Sequence, residues 1–198
     1  MASTNLESNL KSNLESSSIS PSSPQSLNIV TWPHPILSQV AQPVSHFDDQ
    51  LDQFIQNMWT CLADSGGIGL AAPQVNCSQQ IFIMHCQGRV KQAHKLTCIN
   101  PHIISHTERI PSDEGCLSFP SIRVTVPRFN QIYLRAQNKD GTHFEIHLQG
   151  LEAICVQHEM DHLAGKSFLD LLSESQRMDA LMYYADLHDI PLHTLVAT

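Results

Sequence analysis

A chain of 198 residues, 41% of them apolar, holds enough material for one hydrophobic core of ordinary domain size and requires no second domain. Its formal net charge of −8 at pH 7, with only 11 Lys and Arg, excludes a surface built to track phosphates, so nucleic acid is not an expected partner. Six cysteines without paired short spacings point to free thiols in a reducing, cytoplasmic setting, and no apolar run approaches the ~18 residues that cross a bilayer.

Residues 1–26 are dominated by Ser and Asn, carry the short repeat "NLESNLKSNLES" and offer almost nothing to a core. They are expected to be a disordered leader, followed by a single catalytic domain over 27–198. With Glu7 and Glu15 but no Arg, the leader does not fit a mitochondrial transit peptide. From Asp48 to Ala63, Leu51, Phe54, Ile55, Met58, Trp59 and Leu62 recur at three- and four-residue steps, which predicts an amphipathic helix ended by Gly66 and Gly67.

Short β-prone runs follow: "QIFIMHC", "KLTCINPHIIS", "IRVTVP", "QIYLRAQ" and "HFEIHLQ", the last two joined across Asp140-Gly141, a hairpin signal. A second helix is predicted from about Leu151 to Ala164, stopping at Gly165. A third starts at Ser173, where Gln176 completes a capping box, and runs to about Leu187. Helix, many strands, helix, helix is an α+β order: antiparallel sheets around a central helix, with an N-terminal and a C-terminal helix.

The stretch "GGIGLAAPQV" satisfies the glycine pattern of a dinucleotide-binding turn as Gly67-x-Gly69-x-x-Ala72. That fingerprint needs a strand before the glycines and a helix opening within them. Here a helix precedes, Pro73 cuts short any helix that follows, and "IFIMHCQGRVKQAHK" lacks the acidic residue expected about 20 positions on. A nucleotide role is therefore set aside.

The segment "QHEMDH" places His158 and His162 four apart on the predicted second helix, with Glu159 beside the first. At that spacing two imidazoles reach the same ion, and the Glu reaches a water at that ion without ligating it. The bland alternative, a chance H-E-x-x-H in a chain with 12 His, keeps the motif from standing alone. Catalytic sites of this kind take three protein ligands and leave one position open. Cys155 lies three residues before His158, but it stands about 10 Å from His162 along a helix axis, and it reads better as a buried apolar thiol. Cys116, between Gly115 and a β-prone segment and beside the turn-forming Ser112 and Asp113, is the better third donor; on spacing alone the remaining cysteines stay open.

The segments "GIGLAAPQ", "EGCLS" and "QHEMDHLAG", in that order, resemble the three signature motifs of peptide deformylases, and the similarity extends over roughly residues 27–175. The resemblance implies a bacterial-type, metal-dependent amide hydrolase that removes the formyl group from the N-terminal formyl-methionine of nascent polypeptides, releasing formate. It implies Cys116, His158 and His162 as metal ligands and Glu159 as general acid and base. Gln74 and the backbone N–H of Leu117 would stabilise the oxyanion. Gly67, Ile68, Gly69, Gly115 and the segment just after Cys116 would meet the peptide backbone, where glycines allow close approach. Arg123 would bind a substrate carbonyl, although a solvated strand Arg accounts for it as simply.

Tetrahedral Cys-His-His plus water suits zinc; the resemblance instead implies one Fe2+ per chain, with Ni2+ or Co2+ as active substitutes and Zn2+ less active. Ile154 and Cys155 would contribute to an apolar pocket for the methionine side chain. His85, His102, His106, His143 and His147 lack a helical partner and are expected to face solvent or bond within the fold. Transient ribosome association is a family expectation, but from Asp170 onward the chain carries five acidic residues and only Arg177 as a base, which argues against docking on RNA. Nothing calls for more than a monomer.

Two other functions compete. Metalloendopeptidases share H-E-x-x-H, yet the longer pattern with a third downstream His fails, because Gly165 is in place but position 168 is Phe. A metal-stabilised binding module would need a closed four-ligand site, and no fourth ligand is evident.

Overall fold

In the computed structural model, residues 26–87 and 93–196 are described, so the expected leader lies outside them apart from Ser26. Helix α1 (Asp49–Ser65) opens at Asp48, whose carboxylate accepts from the Leu51 N–H, and closes where Gly66 takes φ +69°. That left-handed conformation costs glycine little and would strain any other residue. The face bearing Leu51, Ile55, Met58 and Leu62 is buried against Leu70, Ile81 and Ile83, as the periodicity predicts.

Strands β1 (Gly69–Ala71), β2 (Ile81–Gln87), β3 (Ala93–His106), β6 (Gln131–Gln137) and β7 (His143–Gln149) form a five-stranded sheet in the order β1-β2-β3-β6-β7. Its neighbours all pair antiparallel. Strands β4 (Arg109–Cys116) and β5 (Phe119–Phe129) pair separately as a two-stranded sheet. The predicted hairpin between β6 and β7 turns through Gly141 at φ +82°.

Helix α2 (Leu151–Leu163) packs on β1, β2, β5 and β7, which makes it the central element between the two sheets. It ends at Gly165, φ +66°, where an added Cβ would meet the Gln39 and Ser38 backbone at 2.8 Å. Helix α3 (Glu174–His188) starts at Ser173 with the predicted capping box to Gln176, and α4 (Leu192–Val196) follows it. These join Trp32, Ile36, Leu37, Phe119 and Phe168 in a second core cluster.

Three elements differ from expectation. Ser112 and Asp113, read as turn residues, lie inside β4, paired with Val126 and Thr125. The strand's buried face is Ser112 and Glu114 rather than an apolar pair, so apolar alternation could not reveal it. Strand β1 has only three residues and opens on a glycine; its extended form comes from pairing with β2, Gly69 opposite Met84. Helix α4 is five residues long, too short for a periodicity.

Candidate active site

Successive turns of α2 carry His158 and His162, whose rings lie 5.1 Å apart edge to face. Cys116 arrives from the end of β4, on the other sheet. Its Sγ is 3.2 Å from His162 Nε2, and ligand atoms of Cys116, His158 and His162 all lie within 4.8 Å of one another. This is the one such group of potential metal-binding side chains among the described residues. Cys155 is outside it, 4% exposed and packed in the core, in keeping with its reading as an apolar thiol.

Glu114, two residues before Cys116, accepts from His158 Nδ1 at 2.9 Å, which leaves Nε2 of that ring for the site. Arg128 on β5 holds Glu114 through two bonds of 2.8 and 3.0 Å and donates to Asp161 on α2 at 2.6 Å. The chain His158–Glu114–Arg128–Asp161 thus ties β4, β5 and α2 together around the imidazole. Burial works to raise the Glu114 carboxyl, but His158 and Arg128 outweigh it and hold it at about 2. Sequence reasoning missed Glu114, Arg128 and Asp161. The available signal was an acidic residue at an inward position of a strand that must also carry Cys116.

Burial opposes ionisation of Cys116, yet the charges of His162 and His158 bring its thiol down to about 5. Burial likewise opposes charge on His158, and the thiolate and Glu114 overcome it, lifting that imidazole well above its ordinary value. One soft thiolate and two imidazoles with a carboxylate behind the first is a donor set that suits a first-row transition metal. A further sign fits: beside the group, Glu159 Oε2 is buried without a hydrogen-bond partner among the described residues. The residues present fit the implied ion.

Glu159 packs against Gly69 of β1. It is 3% exposed, and burial pushes its carboxyl up to about 7, with the two histidines pulling the other way. Gly69 is what makes room: an added Cβ would overlap Glu159 Oε1 and come within 2.8 Å of Cys155 Sγ. The first glycine motif is therefore a close approach of backbone to a carboxylate.

Gln74 is 1% exposed in the short turn after β1. Its Oε1 accepts from the Ala71 N–H at 2.8 Å, which turns Nε2 towards Ser118 Oγ at 3.3 Å and Cys116 Sγ at 3.6 Å. Leu117 occupies the turn between β4 and β5, and its side chain lies 2.9 Å from where a Cβ on Gly67 would sit. Gln74, Leu117, Glu159, His158 and Cys116 share the wall of one cavity of about 700 Å³ with Gly67, Ile68, Gly69, Gly115 and Arg123. Arg123 is bound to Asp113 by bonds of 2.8 and 3.0 Å at the exposed rim. All the site residues anticipated from the sequence except His162 line this cavity, and His162 is held beneath it by Cys116.

Residues 26–178 match the family described as polypeptide deformylase. Among solved structures, the peptide deformylase from Legionella pneumophila is 36% identical, with 82% of this chain and 95% of that one covered at a TM-score of 0.76. The peptide deformylase from Ehrlichia chaffeensis is 29% identical over 83% of this chain and 98% of that one, TM-score 0.78. The enzyme from Thermotoga maritima is 37% identical over 75% and 99%, TM-score 0.70.

Proposed function

The chain belongs to the polypeptide deformylase family, and from that premise we propose how its residues divide the work of a metal-dependent hydrolase that deformylates nascent peptides. Cys116, His158 and His162 hold the ion. When bound there, a divalent ion lowers the pKa of a neighbouring water and acts as a Lewis acid towards the formyl oxygen. Glu114 fixes the His158 ring and its tautomer, so that Nε2 is the ligating atom. Glu159 takes the proton of the attacking water and passes it to the leaving amine, a task for which a carboxyl lifted to about 7 is suited near neutral pH. Gln74 Nε2 and the Leu117 N–H donate to the formyl oxygen as it gains charge. Because Gln74 is already held by Ala71 and Ser118, it needs no reorganisation at that moment. Formate and a free N-terminal amine result.

The peptide backbone lies along Gly67, Ile68 and Gly69 on one side and Gly115 and its neighbours on the other, with Arg123 at the far rim. Both flanks are short strand edges able to pair with an extended chain. We propose Fe2+ as the resident ion, with Ni2+, Co2+ and Zn2+ able to substitute. We further propose a cytoplasmic monomer that meets N-formyl-methionyl peptides in transient association with the ribosome. Six free thiols support the reducing compartment, and no described helix is long and apolar enough to cross a membrane.

The observation that carries the reading is the convergence of Cys116, His158 and His162 with Glu159 and Gln74 on one cavity. The test is formate release from an N-formyl-Met peptide by protein loaded anaerobically with Fe2+ or Ni2+, beside Glu159→Ala. Turnover is expected from both metal forms and a loss of 10²-fold or more in the variant, with its metal content unchanged. Turnover by the variant within a few-fold of the parent would refute the role given to Glu159.

A further inference from the structure

Besides the metal-binding group, the cavity is lined by Leu151, Ile154 and Cys155 of α2 and by Ser112 to Cys116 of β4. On β4 the inward residues are Glu114 and, one strand repeat further from Cys116, Ser112. Glu114 is fully engaged by Arg128 and His158. Ser112 is not: it is 8% exposed, it lines the cavity, and its hydroxyl bonds to no residue that the structure describes. The other serine on the cavity wall, Ser121, is exposed, so among the described residues Ser112 is the one buried serine whose hydroxyl opens onto the cavity. A hydroxyl that opens onto a cavity with no protein partner is free to donate to an acceptor that a ligand brings.

On the deformylase reading, the apolar side of this cavity next to the ligands takes the side chain of the formylated residue. The thioether of methionine is a poor acceptor, whereas its oxidation product places a strongly accepting oxygen on the same atom. We infer that Ser112 is a specificity-determining residue whose hydroxyl lets the cavity accept methionine sulfoxide as well as methionine beside the formyl group. Peptides whose first residue has been oxidised would then still be deformylated.

The test compares kcat/KM for three N-formyl tripeptides differing only in the first residue: methionine, methionine sulfoxide and norleucine, which has the length of methionine without the sulfur. The metal-loaded enzyme is used as wild type, Ser112→Ala and Ser112→Thr. The expected result is wild-type hydrolysis of the sulfoxide within about tenfold of methionine. The sulfoxide-to-norleucine ratio should fall about fivefold in Ser112→Ala, the worth of one neutral hydrogen bond, and be kept in Ser112→Thr. A ratio that stays within twofold in Ser112→Ala overturns the inference, as does a wild-type enzyme that ignores the sulfoxide. Absence of formate from the methionine peptide itself would instead refute the deformylase reading.

Discussion

Gln74 is held at both ends of its amide, by the Ala71 N–H on Oε1 and by Ser118 on Nε2, so its donor faces the site without competing rotamers. Gln74→Ala should lower kcat by about 10²-fold with little change in KM, since the bond is made mainly to the developing charge. Steady-state kinetics on the N-formyl-Met peptide would show this, and an effect confined to KM would count against an oxyanion role. Cys116 supplies the other prediction at this scale. Iron beside a thiolate is oxidisable, so the Fe2+ form should lose activity in air while the Ni2+ form keeps it; equal survival would argue against iron lability. His158, His162 and Glu159 were legible in the sequence because a helix converts a spacing of four into adjacency. Cys116 was not legible by spacing, because it comes from a strand 42 residues before His158; its local context favoured it, and the resemblance decided. Glu114 stayed hidden because its meaning depends on Arg128 and His158, neither of which is local to it.

Among the elements, β4, β5 and α2 are joined by the buried Arg128, whose side chain is 4% exposed between Glu114 at 5% and Asp161 at 23%. Removing the cation leaves the buried Glu114 with only its bond from His158; breaking such a buried pair typically costs 3–5 kcal/mol, about 10 °C for a domain of this size. Arg128→Ala should therefore lower Tm by that order in a thermal melt of the metal-loaded protein, and a shift below 2 °C would show that water compensates the pair. The same three elements explain which parts of the fold the sequence revealed. Helix α1 follows from apolar periodicity, α2 from its stop at Gly165 and α3 from its capping box, and β2, β6 and β7 follow from β-prone runs. Strand β4 breaks the rule because its interior face is polar and functional, and β1 is an extended segment only by virtue of its partner strand. The elements hardest to read are those that build the site.

For the molecule as a whole, the first described residues already belong to the fold around the site. Val30 donates to Gln74 O and Trp32 to Ser118 O, so residues from about 30 onward already brace the turns beside the site. Deleting residues 1–25 should leave both Tm and kcat/KM within experimental error of the full chain, as measured by calorimetry and formate release. A marked loss of either would give the leader a role that neither its composition nor the core requires.

The Trp32 segment has one more consequence. Its carbonyl accepts from Tyr184 Oη at 3.2 Å, and Trp32 shares a core cluster with Leu181 and Leu195. The earliest and latest folded stretches thus complete one another across more than 150 residues. During synthesis the side of this core formed by Leu181, Tyr184 and Leu195 is missing until the closing helices have been made. A protein whose substrates are nascent peptides therefore reaches its own finished form only late in its translation.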